Sequence, residues 1–125
     1  MRLSTRLHGM MDYAMGVVLI GVASAMPGGI PSTPGMVLAA TGAISILNAM
    51  LTNFELGVFR KIQIPMHLWL DGILGLTVAV SPWLLSFDRD AWIPHAVVGA
   101  LIIAAAFFTN TVPTVDRRRA PAAGA

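Results

Sequence analysis

Four long apolar runs follow one another along this chain, separated by short breaks that are charged or rich in turn residues. No charged residue occurs between Tyr13 and Phe54 or between Ala91 and Val115, and Ile64 to Leu85 carries only Asp71. A helix that crosses a bilayer needs about 20 mostly apolar residues, so the pattern predicts four spans. They fall near residues 8–26, 35–54, 66–85 and 94–112. The first break, from Pro27 to Gly35, holds three prolines and three glycines and reads as a turn outside the membrane. Pro65 and Pro94 stand where the third and fourth helices are expected to begin, where a missing amide donor costs little. Trp83 and Trp92 fall at the outer ends of helices three and four and read as interface anchors, with Trp69 near the inner face.

The polar interruptions recur. His8-x3-Asp12-x3-Gly16 returns as His67-x3-Asp71-x3-Gly75, Gly42-Ala43 as Gly99-Ala100, Thr52-Asn53 as Thr109-Asn110, and Val58-x-Arg60-Lys61 as Val115-x-Arg117-Arg118. This is the signature of a duplicated helix pair, with residues 1–62 as the first repeat, 63–119 as the second and 120–125 as a flexible tail. Two copies of two spans share one orientation, so a pseudo-twofold axis along the membrane normal is expected to relate two tandem helix hairpins. Ala39-x3-Ala43 and Ala96-x3-Ala100, with Gly42 and Gly99 beside them, predict close backbone packing on the even-numbered helices.

Composition narrows the setting. Hydrophobic residues make up 56% and charged residues 11%, against roughly a quarter charged in soluble domains, and the mean hydropathy is +0.75. An all-α integral membrane protein is expected. Seven of the eight Lys and Arg residues (Arg2, Arg6, Arg60, Lys61, Arg117, Arg118 and Arg119) fall on one side of a four-span topology. The positive-inside rule then places both termini in the cytoplasm, for a protein of the cell inner membrane of bacterial type. The N-terminal run with Ala23-Ser24-Ala25 resembles a cleavable signal, but His8 and Asp12 are in register with His67 and Asp71, so it reads as a retained span. Basic residues gathered beside spans favour anionic lipid over nucleic acid. The bilayer is therefore the first partner, with a homo-oligomer or a larger membrane complex beyond it. There is no cysteine, which excludes disulfides, thiolate metal sites and thiol redox chemistry.

Candidate chemistry rests on the ionisable residues of the odd-numbered spans. His and Asp four apart share a helix face, and a charge at mid-span costs about 2.5–3.5 kcal/mol, so such groups face the bundle interior. Three readings follow for His8, Asp12, His67 and Asp71. In the preferred structural one, each Asp accepts hydrogen bonds from its own His and from Thr52, Asn53, Thr109 or Asn110, closing a polar belt. In the second, two imidazoles and two carboxylates hold a divalent first-row ion such as zinc. In the third they relay protons or cations. Haem between His8 and His67 is a minor option, disfavoured by the adjacent carboxylates. His95, aligned with Leu38 of the first half, reads as an interfacial side chain, and Glu55 as a surface partner of Arg60 or Lys61. No phosphate loop, nucleophile with base, or HExxH pair is present, so nothing calls for catalysis.

The run Gly75-x5-Ser81-Pro82-Trp83-Leu84-Leu85-x-Phe87, followed by Ala91-Trp92-x2-His95-x3-Gly99, resembles the SPW-repeat family of small integral membrane proteins. The resemblance covers residues 75–105; the first half has Ala23-Ser24-Ala25-Met26-Pro27 in the corresponding place. It implies a membrane module of paired helices and brings no reaction or catalytic residues. Ser81-Pro82-Trp83 makes physical sense as a span end: Pro82 frees a carbonyl, Ser81 can satisfy it, and Trp83 anchors at the headgroups. Together these features favour a structural or accessory membrane protein, with a metal-binding or proton- or cation-conducting protein as the alternative.

Overall fold

Each apolar run forms one helix. In the computed structural model, which describes residues 1–113, α1 spans Thr5–Ala25, α2 Thr33–Leu51, α3 Ile64–Leu84 and α4 Asp88–Phe108. All four are long and apolar enough to cross a membrane. Arg117, Arg118, Arg119 and the tail 120–125 lie outside the described residues.

The helix ends explain the boundaries. Ser4 caps α1 by accepting from Leu7 N at 3.1 Å, and Ser32 caps α2 by accepting from Gly35 N at 3.2 Å. The turn before α2 reverses through Gly28 and Gly29 at φ 80° and 62°, a region open to glycine at no steric cost. α2 stops at Leu51 rather than near residue 54, because the following loop folds back: Lys61 and Ile62 donate their amides to Leu51 O at 2.6 and 2.8 Å. Carbonyls left over at a helix end are thereby satisfied without water. Past α4, Leu3 N donates to Phe108 O at 2.8 Å and Asn110 N to Leu3 O at 3.0 Å, so the N-terminal segment closes the end of the last helix.

The third connection differs from expectation. Arg89 falls between the spans expected near 66–85 and 94–112, yet it lies in the first turn of α4, which starts at Asp88 instead of near Pro94. An acidic residue suits a helix N-terminus, and Pro94 sits inside the helix at the cost of a kink. Its ring crowds the carbonyl four residues back, and Ala91, next to that carbonyl, leaves helical geometry at φ −149°. At the end of α3, Ser81 Oγ donates to Val78 O at 2.8 Å, the carbonyl that Pro82 leaves without its helical donor.

Burial is inverted relative to a soluble bundle. Thr41, Ser45, Asn48, His67, Asp71, Ser81 and His95 are buried, whereas Val17, Ile44, Ile73, Leu76 and Val97 are exposed. A solvent as apolar as hydrocarbon gives no reason to bury leucine and a strong reason to bury hydrogen-bonding groups. Helices therefore meet through small residues. α1 packs against α2 where a Cβ on Gly42 would lie 2.5 Å from Gly16 O; α3 packs against α4 where one on Gly99 would lie 2.4 Å from Gly75 O. Leu19, Ala23, Leu38 and Val78 fill one end of the interior, and Ala49, Phe54 and Ile64 the other. The histidines and aspartates of α1 and α3 lie near the second of these.

A buried histidine and aspartate centre

Helix geometry sets the stage: residues four apart in α1 and in α3 present His8 with Asp12 and His67 with Asp71 on inward faces. The structure brings all four together, with one potential ligand atom from each lying within 4.8 Å of the others. Asp71 Oδ2 is 3.0 Å from both His8 Nε2 and His67 Nε2, and the two Nε2 atoms are 3.2 Å apart. Asp12 Oδ2 is 3.1 Å from His67 Nε2, and its Oδ1 is 3.5 Å from His8 Nε2. The imidazoles meet edge to face, with ring centroids 5.2 Å apart. Asp71, wedged against both Nε2 atoms, leaves no space for a macrocycle between the rings, so haem does not fit.

The other ring nitrogens are held by threonines. Thr109 Oγ1 lies 2.7 Å from His8 Nδ1, and Thr52 Oγ1 lies 2.8 Å from His67 Nδ1. Each hydroxyl also bonds a carbonyl one turn back, Ala105 O and Asn48 O, both at 2.6 Å. A carbonyl only accepts and a hydroxyl has one proton, so each threonine donates to its carbonyl and accepts from an imidazole Nδ1–H. That fixes the tautomer: in a neutral ring, Nε2 carries the lone pair, and both lone pairs face the carboxylates.

Asn48 completes the surroundings of Asp71, donating from Nδ2 to Asp71 Oδ1 at 2.8 Å and to His67 O at 3.4 Å. Asp12 has no such clamp, and its buried Oδ2 makes no hydrogen bond despite its nearness to His67. Phe54 closes the loop side: its ring packs against His67 with centroids 6.1 Å apart and covers Gly9 so closely that no Cβ fits there. Thr5 and Tyr13 hold that loop to α1, Thr5 through hydrogen bonds of 2.7 and 3.0 Å to the Glu55 carboxylate and Tyr13 through one of 3.1 Å to Leu56 O.

Several expectations change here. Thr52 and Thr109 serve the imidazoles and not the aspartates, because the loop turns their hydroxyls toward Nδ1. Asn53 and Asn110 stand apart from the aspartates: Asn53 is exposed, with its backbone N–H bonded to Ile62 O at 2.7 Å, and Asn110 Nδ2 donates to Leu3 O at 3.0 Å. Asn48 escaped the sequence reading because its place in the second half, 57 residues on, is taken by Ala105. An amide inside an uncharged span was the signal that pointed to it. His95 is a correction: it is fully buried, with Nδ1 2.7 Å from Ala91 O and Nε2 3.0 Å from Pro34 O. The kink at Ala91 and the turn before α2 enclose it, and it is remote from the four-residue cluster. Trp83 and Trp92 lie side by side with ring centroids 6.0 Å apart, 55% and 46% exposed.

Fold and site define a small four-helix membrane protein with a buried centre of two histidines and two aspartates. No family model, no curated protein and no solved structure matches the chain.

The threonines supply a direct check on this arrangement. Thr52→Val keeps the shape and removes the acceptor for His67 Nδ1–H; partners that orient a ligating histidine are worth about 10–100-fold in metal affinity. If the centre holds a divalent cation, Thr52→Val and Thr109→Val each weaken zinc binding by about that factor in a competition titration with a chromogenic chelator.

Proposed function

We propose that this protein binds one divalent first-row cation, zinc foremost, through His8, Asp12, His67 and Asp71. One observation carries the reading: one potential ligand atom from each of the two histidines and two aspartates lies within 4.8 Å of the others, while both Nδ1 atoms are held by threonines. With Nδ1 of each ring committed to a threonine, neutral imidazoles and ionised carboxylates repel one another at 3.0–3.2 Å. A single imidazolium would offer one Nε2–H to several acceptors and leave one carboxylate charge uncompensated, and two would set their charged N–H groups 3.2 Å apart. A dication neutralises two carboxylates in a medium where net charge is costly, and ligand atoms about 2.0–2.1 Å from zinc lie roughly 3.3 Å apart at the corners of a tetrahedron. His8 Nε2, His67 Nε2 and Asp71 Oδ2 lie 3.0, 3.0 and 3.2 Å apart, close to such an edge, and Asp12 stands beside them with Oδ2 3.1 Å from His67 Nε2 and Oδ1 3.5 Å from His8 Nε2.

The architecture that supports the reading is a pair of tandem helix hairpins about a pseudo-twofold axis along the membrane normal, in an inner membrane with both termini cytoplasmic. Support comes from matched contacts. Gly16 meets Gly42 as Gly75 meets Gly99, and Thr52 pairs with Ile62 as Thr109 pairs with Leu3. The resemblance of residues 75–105 to the SPW-repeat family points to the same kind of paired-helix module.

Metal analysis of the purified full chain tests the function. One zinc per chain is expected in the wild type and none in Asp12→Asn/Asp71→Asn. A wild type that binds no divalent cation after incubation with zinc, cobalt or manganese would sink the proposal and leave the cluster as a polar belt.

A further inference from the structure

The centre is not equally closed on all sides. Toward the loop, the space between Thr5, Thr52, Phe54, Ile64 and Thr109 is about 10 Å³, at the limit of a single water. Toward the cleft between α1 and α4, a cavity of about 750 Å³ runs from Met1 and Ser4 past His8 and Asp12 to Met15 and Ile102. At about 30 Å³ per water, it has room for a hydrated ion. From Ser4 to Asp12 is eight residues, about 12 Å along the helix.

The two aspartates differ on the same side. Both line the cavity, but Asp71 is fixed by Asn48 and its side chain is 4% exposed, whereas Asp12 has an unbonded Oδ2 and is 14% exposed. The residue that would clamp it is missing. Asn48 and Ala105 each present the carbonyl that receives a threonine hydroxyl, Thr52 and Thr109 respectively, and each lies four residues before that threonine. Where Asn48 reaches Asp71, Ala105 leaves a methyl group and opens the cleft wall.

We propose that the cleft between α1 and α4 is the port through which the divalent cation enters and leaves, with Asp12 as the ligand that swings aside. This rests on the cation reading above and makes the centre an exchange site rather than a permanent structural one. His8, His67 and Asp71 stay in place, held by Thr109, Thr52 and Asn48, while Asp12 turns into the cavity with the hydrated ion.

The experiment loads the full-length protein in detergent with Co²⁺, mixes it with excess EDTA and follows the loss of the visible cobalt bands. Ala105→Asn supplies the missing clamp and narrows the cleft, so release is expected to slow at least tenfold. Leu101→Ala widens the cleft away from the ligands and is expected to speed both uptake and release, whereas Val17→Leu, on an exposed face of α1, leaves both unchanged. Unaltered rates in Ala105→Asn and Leu101→Ala would overturn the port. If Ala105→Asn does not fold, Leu101→Ala decides alone. Failure of the wild type to bind Co²⁺ is a separate result and overturns the cation reading itself.

Discussion

His67→Ala is expected to weaken zinc binding by at least about a thousandfold, roughly 4 kcal/mol. The ring supplies one corner of the cage, and its Nε2 lies within 3.2 Å of every other ligating residue. Thr52 is turned to Nδ1, and the Asn48 amide nitrogen to Asp71. The loss should exceed the 10–100-fold expected when only an orienting hydroxyl is removed, and that ranking is itself a check. Isothermal titration with zinc in detergent measures both. Acidification acts in the same direction, because a proton on Nε2 occupies the lone pair the ion needs, so affinity falls as pH is lowered. A His67→Ala protein that binds zinc like wild type would show that the ion sits elsewhere.

Gly99→Leu is expected to have the largest effect on stability. A Cβ at this position would lie 2.4 Å from Gly75 O, 2.5 Å from Ala79 Cβ and 2.7 Å from Ala79 N. Two of these neighbours are backbone, so the contact is relieved only by parting α3 from α4. Overpacking in well-fitted interiors costs about 1–3 kcal/mol when side chains can shift, and this site lies at or above the upper end. A fall in the thermal midpoint of roughly 10–20 °C in detergent follows, at several degrees per kcal/mol. Gly21→Leu is the control. A Cβ on Gly21 meets nothing within 4 Å, and its midpoint should stay near wild type.

The spans were legible because hydropathy is a property of the chain alone, and the four runs became four helices with ends shifted by a few residues. The shifts have local causes. α2 ends early because loop amides return to Leu51 O, and α4 starts early because its acidic first turn tolerates the kink before Pro94. Helical periodicity could place His8 with Asp12 and His67 with Asp71. It could not say which atoms would face inward, since the tautomer depends on hydroxyls 101 residues from His8 and 15 from His67. Asn48 is not legible from the repeat, because it is present in only one half and Ala105 stands at the matching place in the other. His95 looked interfacial from its neighbours Trp92 and Pro94, but a helix that begins earlier carries it a turn further into the bundle.

The bond between Leu3 and Phe108, and that between His8 and Thr109, tie the two ends of the described chain together. Synthesis proceeds from the N-terminus, so the first histidine waits for the last helix before its ring is oriented. Three inserted helices have both aspartates and the second histidine, yet His8 still lacks the hydroxyl that sets its tautomer. Under the proposed cation reading, ion capture is thus coupled to the completion of membrane insertion. A chain truncated before Thr109 would reach the bilayer with every ligand and an unfinished centre.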